Sequence, residues 1–135
     1  MKLFFVLLFF YGSYALACTC ARFEAPNPDN KTDLKDNYWY SGRILSKEKV
    51  DVAHPFGRIK YKILVETDFS GELKKDTVDV YSSTGTCGLR MEVGEWHLFS
   101  SRKKEKLFVS VCDYHSRKEE AQEDILKLKK HFKIN

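Results

Sequence analysis

Cys18-Thr19-Cys20 is the segment of this sequence with the most distinctive chemistry. It follows the small-x-small triplet Ala15-Leu16-Ala17, where a secretory peptidase is expected to cut. Cys18 is then the first residue of the mature chain and carries a free α-amine. That amine and the carbonyl oxygen of the same residue can close a five-membered chelate ring on a metal ion. With a pKa of about 7.7–8.0, a useful fraction of such an amine is neutral near pH 7 and has a lone pair to give. A disulfide at the same residue would hold amine and carbonyl rigid, and a second one at Cys20 would stiffen the ridge. Preorganisation of this kind lowers the entropy lost on binding. A catalytic zinc keeps one coordination site open for water or substrate, and a rigid chelating terminus could displace that water. The same spacing also fits a plain disulfide anchor, which on spacing alone is the commoner use.

Signatures of catalysis are missing. The sequence has no H-E-x-x-H and no G-x-S-x-G, and its four histidines, His54, His97, His115 and His131, are scattered. The expectation is a protein that is not an enzyme and needs no cofactor of its own. Four cysteines, Cys18, Cys20, Cys87 and Cys112, read as two disulfides in a secreted chain rather than as free nucleophiles. Of the three pairings, Cys18–Cys20 would close a strained ring and ranks last. The other two both tether the N-terminus to the body of the protein, and spacing does not choose between them. Closing a loop of about 70 residues in this way stabilises a small domain by roughly 4 kcal/mol in the chain-entropy model.

The compartment follows from the leader. Lys2 precedes an apolar run over 3–11 and the small residues before Cys18, the pattern of a signal peptide over 1–17. The run has about half the roughly 20 apolar residues that a bilayer span needs, so no membrane anchoring is expected and the product is read as secreted and extracellular. Removing 17 of the 135 residues leaves 118, enough for one domain over 18–135 with a modest core. The charge falls from +4 to +3 when Lys2 is lost. That is too mild to argue for nucleic acid, although it allows a weak attraction to anionic matrix polysaccharide. Asn30-Lys31-Thr32 is a glycosylation sequon in the polar stretch 27–33.

The elements that must position the cysteines are mostly strands. The segment 18–36 is broken by Pro26 and Pro28, with a short helical turn over 32–37. Strand signals cover 38–50, with Gly42 as a bulge or close-approach point, then 59–65, 77–81, 96–100 and 107–111, the last ending at Cys112. The run 102–106 reads as a charged hairpin tip. Ser116-Arg117-Lys118-Glu119 matches a capping box, and Ala121, Ile125, Leu128 and Phe132 form one apolar stripe of a final helix. The fold class is therefore mainly β. Five short strands and a C-terminal packing helix suggest an OB-type β-barrel, a closure that leaves few exposed edges.

Taken together, Cys18-Thr19-Cys20 after a signal peptide, Thr86-Cys87-Gly88 about 70 residues later, and the pair 94–99 and 107–112 resemble the tissue inhibitor of metalloproteinases family. The likeness spans 18–112 and is to that family's single inhibitory domain, a netrin-like module built on an OB-type barrel. It implies a secreted inhibitor whose partners are extracellular zinc metalloproteinases, with the zinc belonging to the target. By position, Cys18 would chelate that zinc, Thr19 would enter the enzyme's main specificity pocket, and Cys20 would continue the ridge. The family pattern pairs Cys18 with Cys87 and Cys20 with Cys112. Ser83, Thr84, Gly85 and Thr86 would lie beside the ridge and touch the enzyme. The alternative is a secreted netrin-like binding module without protease inhibition. A free amine on Cys18 is the feature that separates the two, and the signal-peptide and C-x-C readings both require it: intact-mass measurement of the secreted protein should place Cys18 at the N-terminus with all four cysteines oxidised. A terminus even one residue earlier would remove the chelating amine.

Overall fold

The computed structural model describes Cys18 and residues 26–51, 57–103 and 106–135. Asn30 starts the first helix among the described residues, α1 (Lys31–Asp36), its side-chain oxygen accepting the Thr32 amide at 2.9 Å. Leu34 is the residue that α1 buries. Strand β1 (Asn37–Val50) follows directly and is the centre of the molecule. β2 (Arg58–Asp68) pairs with it antiparallel, and β3 (Thr77–Ser83) pairs with β2. On the other side β1 pairs with β4 (Trp96–Arg102), and β4 with the short β5 (His115–Arg117). The result is one five-stranded antiparallel sheet in the order β3-β2-β1-β4-β5. The C-terminal helix α2 (Gln122–Phe132) packs on it.

Alternation drives this arrangement. Ile59, Tyr61 and Ile63 of β2 and Val78 and Val80 of β3 all point to one face, where they meet Tyr40, Ile44 and Phe99. The rings of Tyr40 and Phe99, opposite each other across β1 and β4, stack at 5.3 Å. Leu89, Met91 and Val109 cover that face from outside the sheet. On the opposite face Trp39 and Leu98 join Leu34, Phe69, Ala121 and Leu128 in a second cluster. The first part of β1, 37–42, is thus largely buried on both faces, while 45–49 are exposed. Gly42 is the close-approach point expected from its sequence. A β-bulge interrupts the register between Ser41 and Gly42, and a Cβ at Gly42 would lie 2.2 Å from the Leu64 carbonyl oxygen.

Two expectations need correction. The fifth strand is not 107–111. Leu107 and Val109 do alternate inward, but the segment makes only isolated bridges, Tyr81 to Phe108 and Gly88 to Ser110. The ladder partner of β4 comes later, at β5, after a turn over 110–113 closed by the Asp113 amide on the Ser110 carbonyl. As paired, the sheet is open rather than a closed barrel. Even so, the chain after β4 touches both of its edges: it lies against Tyr81 of β3 and then joins β4 as β5.

Nor does Ser116 cap the final helix. It is buried in β5 opposite Leu98, and its hydroxyl is used on the Arg117 carbonyl. The helix starts three residues beyond the expected box, with Ala121 at the N-cap and no side-chain cap. Packing of Ala121 into the second cluster sets that start. The apolar stripe itself is as expected: Leu128 is buried, with Ile125 and Phe132 packed beside it. Glu123 and Asp124 in the first turn and Lys129, Lys130 and His131 in the last complement the helix dipole. Lys127 reaches back to Asp29 at 3.0 Å and ties α2 to the entry of α1.

Leu128 is 0% exposed and Leu126 68% exposed on the same helix. Leu128→Ala should cost about 2–5 kcal/mol, whereas Leu126→Ala should stay within about 0.5 kcal/mol. Denaturant unfolding of the two variants measures the difference. Equal costs would mean that α2 is not docked through Leu128.

Candidate functional site

Cys18 is joined to Cys87 by a disulfide across 69 positions of sequence. Of the pairings that spacing left open, this is the one formed, and no described cysteine is free. The Cys112 sulfur lies 3.9 Å from that of Cys18, so three of the four cysteines meet at one place. Thr19 and Cys20 lie outside the described residues, as do 1–17, and with them the expected Cys20–Cys112 bond. Also outside are His54 and the tip residues Lys104 and Glu105.

Beyond its disulfide, Cys87 is held against the segment 110–111. Its carbonyl accepts the Val111 amide at 3.0 Å, and Gly88 bridges to Ser110. The 110–113 turn that carries Cys112 is fastened by Asp113, whose carboxylate accepts both the amide and the hydroxyl of Ser110, at 2.8 and 2.9 Å. The Ser110 hydroxyl in turn accepts the Cys112 amide at 3.1 Å. Two cysteine-bearing turns are therefore locked side by side by main-chain and short side-chain bonds, a rigid mount for Cys18.

The segment Ser83-Thr84-Gly85-Thr86 leaves the end of β3 and runs into Cys87, as the sequence expectation placed it. Ser82, one residue earlier, is fully buried; its hydroxyl donates to the Val109 carbonyl and accepts the Leu89 amide at 2.8 Å. Thr84 donates both its amide and its hydroxyl to the Gly57 carbonyl, at 2.8 and 2.9 Å, which fixes the loop to the start of β2. Gly85 donates its amide to the Ser83 hydroxyl and accepts the Gly88 amide at 3.0 Å. Thr86 is exposed at the turn. The pinch at Gly88 is so tight that a Cβ there would sit 1.6 Å from the Ser83 carbonyl oxygen. Gly88 was legible only as part of a motif. Ser82, Gly57, Asp113 and Arg90, which also contacts the loop, carried no sequence signal, because their partners are mostly main-chain atoms brought in from elsewhere.

His97 is 3% exposed on β4, with Nε2 3.1 Å from the Glu95 carboxylate. Burial holds its pKa below the ordinary value, against the opposing pull of Glu95. Glu95 is itself held low by the Glu92 main chain and by His97. Among the described residues no group of three or more His, Cys, Asp or Glu could hold a metal ion, and no helix is long and apolar enough to cross a membrane.

Gly88→Ala should force the Ser83 carbonyl aside and loosen the mount of Cys87. The expected cost is about 2 kcal/mol or more, read as a fall in melting temperature of about 8 °C. An unchanged melting temperature would show that the pinch relaxes freely.

Comparison with known proteins gave no further bearing: no family model matches the chain, and no curated protein matches it significantly.

Proposed function

We propose that this chain is a secreted inhibitor of zinc metalloproteinases that acts through the amine and carbonyl of Cys18. The observation that carries the reading is the Cys18–Cys87 disulfide. It fuses the residue expected at the mature terminus to the loop 83–86, so that chelating group and flanking loop form one continuous edge. A terminus bonded in this way loses little freedom when it meets a target. Thr19 enters the specificity pocket and Cys20, bonded to Cys112, continues the edge. Ser83, Thr84, Gly85 and Thr86 contact the enzyme beside it. The zinc is the target's, and its open coordination site receives the Cys18 nitrogen and oxygen in place of water.

The supporting scaffold is an OB-type, netrin-like barrel. Its closure is favoured by the chain after β4, which touches both edges of the sheet through Tyr81–Phe108 and through β5.

An added alanine before Cys18 tests the mechanism. It turns the amine into an amide with no lone pair to give and puts bulk where the active-site floor would be. The core and the disulfides are untouched, so circular dichroism and melting should match the native protein. Inhibition of a metalloproteinase catalytic domain should fall by about 10²-fold or more, or roughly 2.8 kcal/mol. Equal inhibition by a well-folded, alanine-extended protein would overturn the chelating terminus.

A further inference from the structure

Leu89 and Met91 are both buried, and the residue between them is turned outward by simple alternation. That residue is Arg90. Its backbone neighbours are pinned from below: the Tyr61 hydroxyl donates to the Leu89 carbonyl at 3.1 Å and accepts the Met91 amide at 3.4 Å. From this fixed base the guanidinium reaches back over the loop and donates to three successive main-chain oxygens. Nη1 bonds the Ser83 carbonyl at 3.3 Å, and Nη2 bonds those of Thr84 and, at 3.5 Å, Gly85.

Three carbonyl dipoles converging on one point repel one another unless a cation sits among them. A planar guanidinium with several donors on one rigid fork suits that geometry, and an ammonium, a single point charge, matches it poorly. The attachment of the loop to the core is supplied by other groups: Ser82, the Gly88 pinch and the Thr84–Gly57 bonds. Arg90 is exposed, so the fold does not depend on burying it.

We propose that Arg90 is a positioning residue that clamps the carbonyls of Ser83, Thr84 and Gly85 and thereby fixes the shape of the loop beside Cys18. The clamp stands on the loop's own geometry; its consequence for a metalloproteinase rests on the inhibitor reading above. A loop already ordered by Arg90 has less freedom to lose on contact with an enzyme, and the gain falls mainly on the dissociation rate.

Two measurements on Arg90→Ala and Arg90→Lys test this. Amide hydrogen exchange should speed up about tenfold for the loop amides 84–86 in Arg90→Ala, with melting little changed and the amides of β1 and β2 unaffected. Dissociation from a zinc metalloproteinase catalytic domain should be about tenfold faster, about 1.4 kcal/mol, with association nearly constant. Arg90→Lys should recover only part of either effect. Unchanged loop exchange in Arg90→Ala overturns the clamp, whether or not the protein inhibits. Faster exchange with an unchanged dissociation rate overturns its role in docking. If the native protein does not bind the enzyme at all while exchange still quickens, the clamp stands and the inhibitor reading falls.

Discussion

Strand β1 carries the constraint on which the other elements depend, because both faces of its first part, 37–42, are largely buried. Trp39 faces the helical side and Tyr40 the strand side, so each half of the core draws on the same backbone. A one-residue slip of β1 would exchange the two sets of side chains and disrupt both clusters at once. Gly42 enforces the register locally. The Leu64 carbonyl occupies the space of a Cβ there, and only a residue without one lets β2 approach at the bulge. Once β1 is placed, β2 brings β3, and β3 ends where the loop toward Cys87 begins.

The candidate site inherits its rigidity from that order. Cys87 and Cys112 sit on turns rather than in strands, yet each turn is tied to a strand or a buried residue. Ser82 couples β3 to Val109 and Leu89 with one hydroxyl. Such a hydroxyl, fully buried and used both as donor and as acceptor, is worth more as a fixed joint than as a stabilising bond. The Cys18–Cys87 disulfide then attaches Cys18 to one of these braced turns.

How much of this was legible in the sequence follows from which interactions are periodic. Ile59, Tyr61 and Ile63 announced β2 because their burial alternates, and Ala121, Ile125, Leu128 and Phe132 announced α2 for the same reason. Leu107 and Val109 misled by the same rule: they alternate because they plug the core, while their main chain finds only single bridges. Ser116 matched a capping pattern that cannot be distinguished in sequence from a buried strand serine. The cysteine spacing showed that the N-terminus would be tethered, but the choice of Cys87 depended on a resemblance, since both open pairings satisfy the same spacing. Arg90 was invisible because its partners are main-chain oxygens, which have no residue type to read.

Asn30 carries two assignments on one side chain. Its Oδ1 caps α1 by accepting the Thr32 amide, whereas a sugar would be joined at Nδ2. The acceptor survives that linkage, so a glycan and a helix start are compatible at this residue. Removing the sequon at Asn30 itself would take the cap away with it, and any loss of stability would be misread as an effect of the sugar. Thr32 is exposed, and it serves the cap only through its main-chain amide. Replacing it with alanine abolishes the acceptor sequence for oligosaccharyl transfer while the first turn of α1 keeps its anchor.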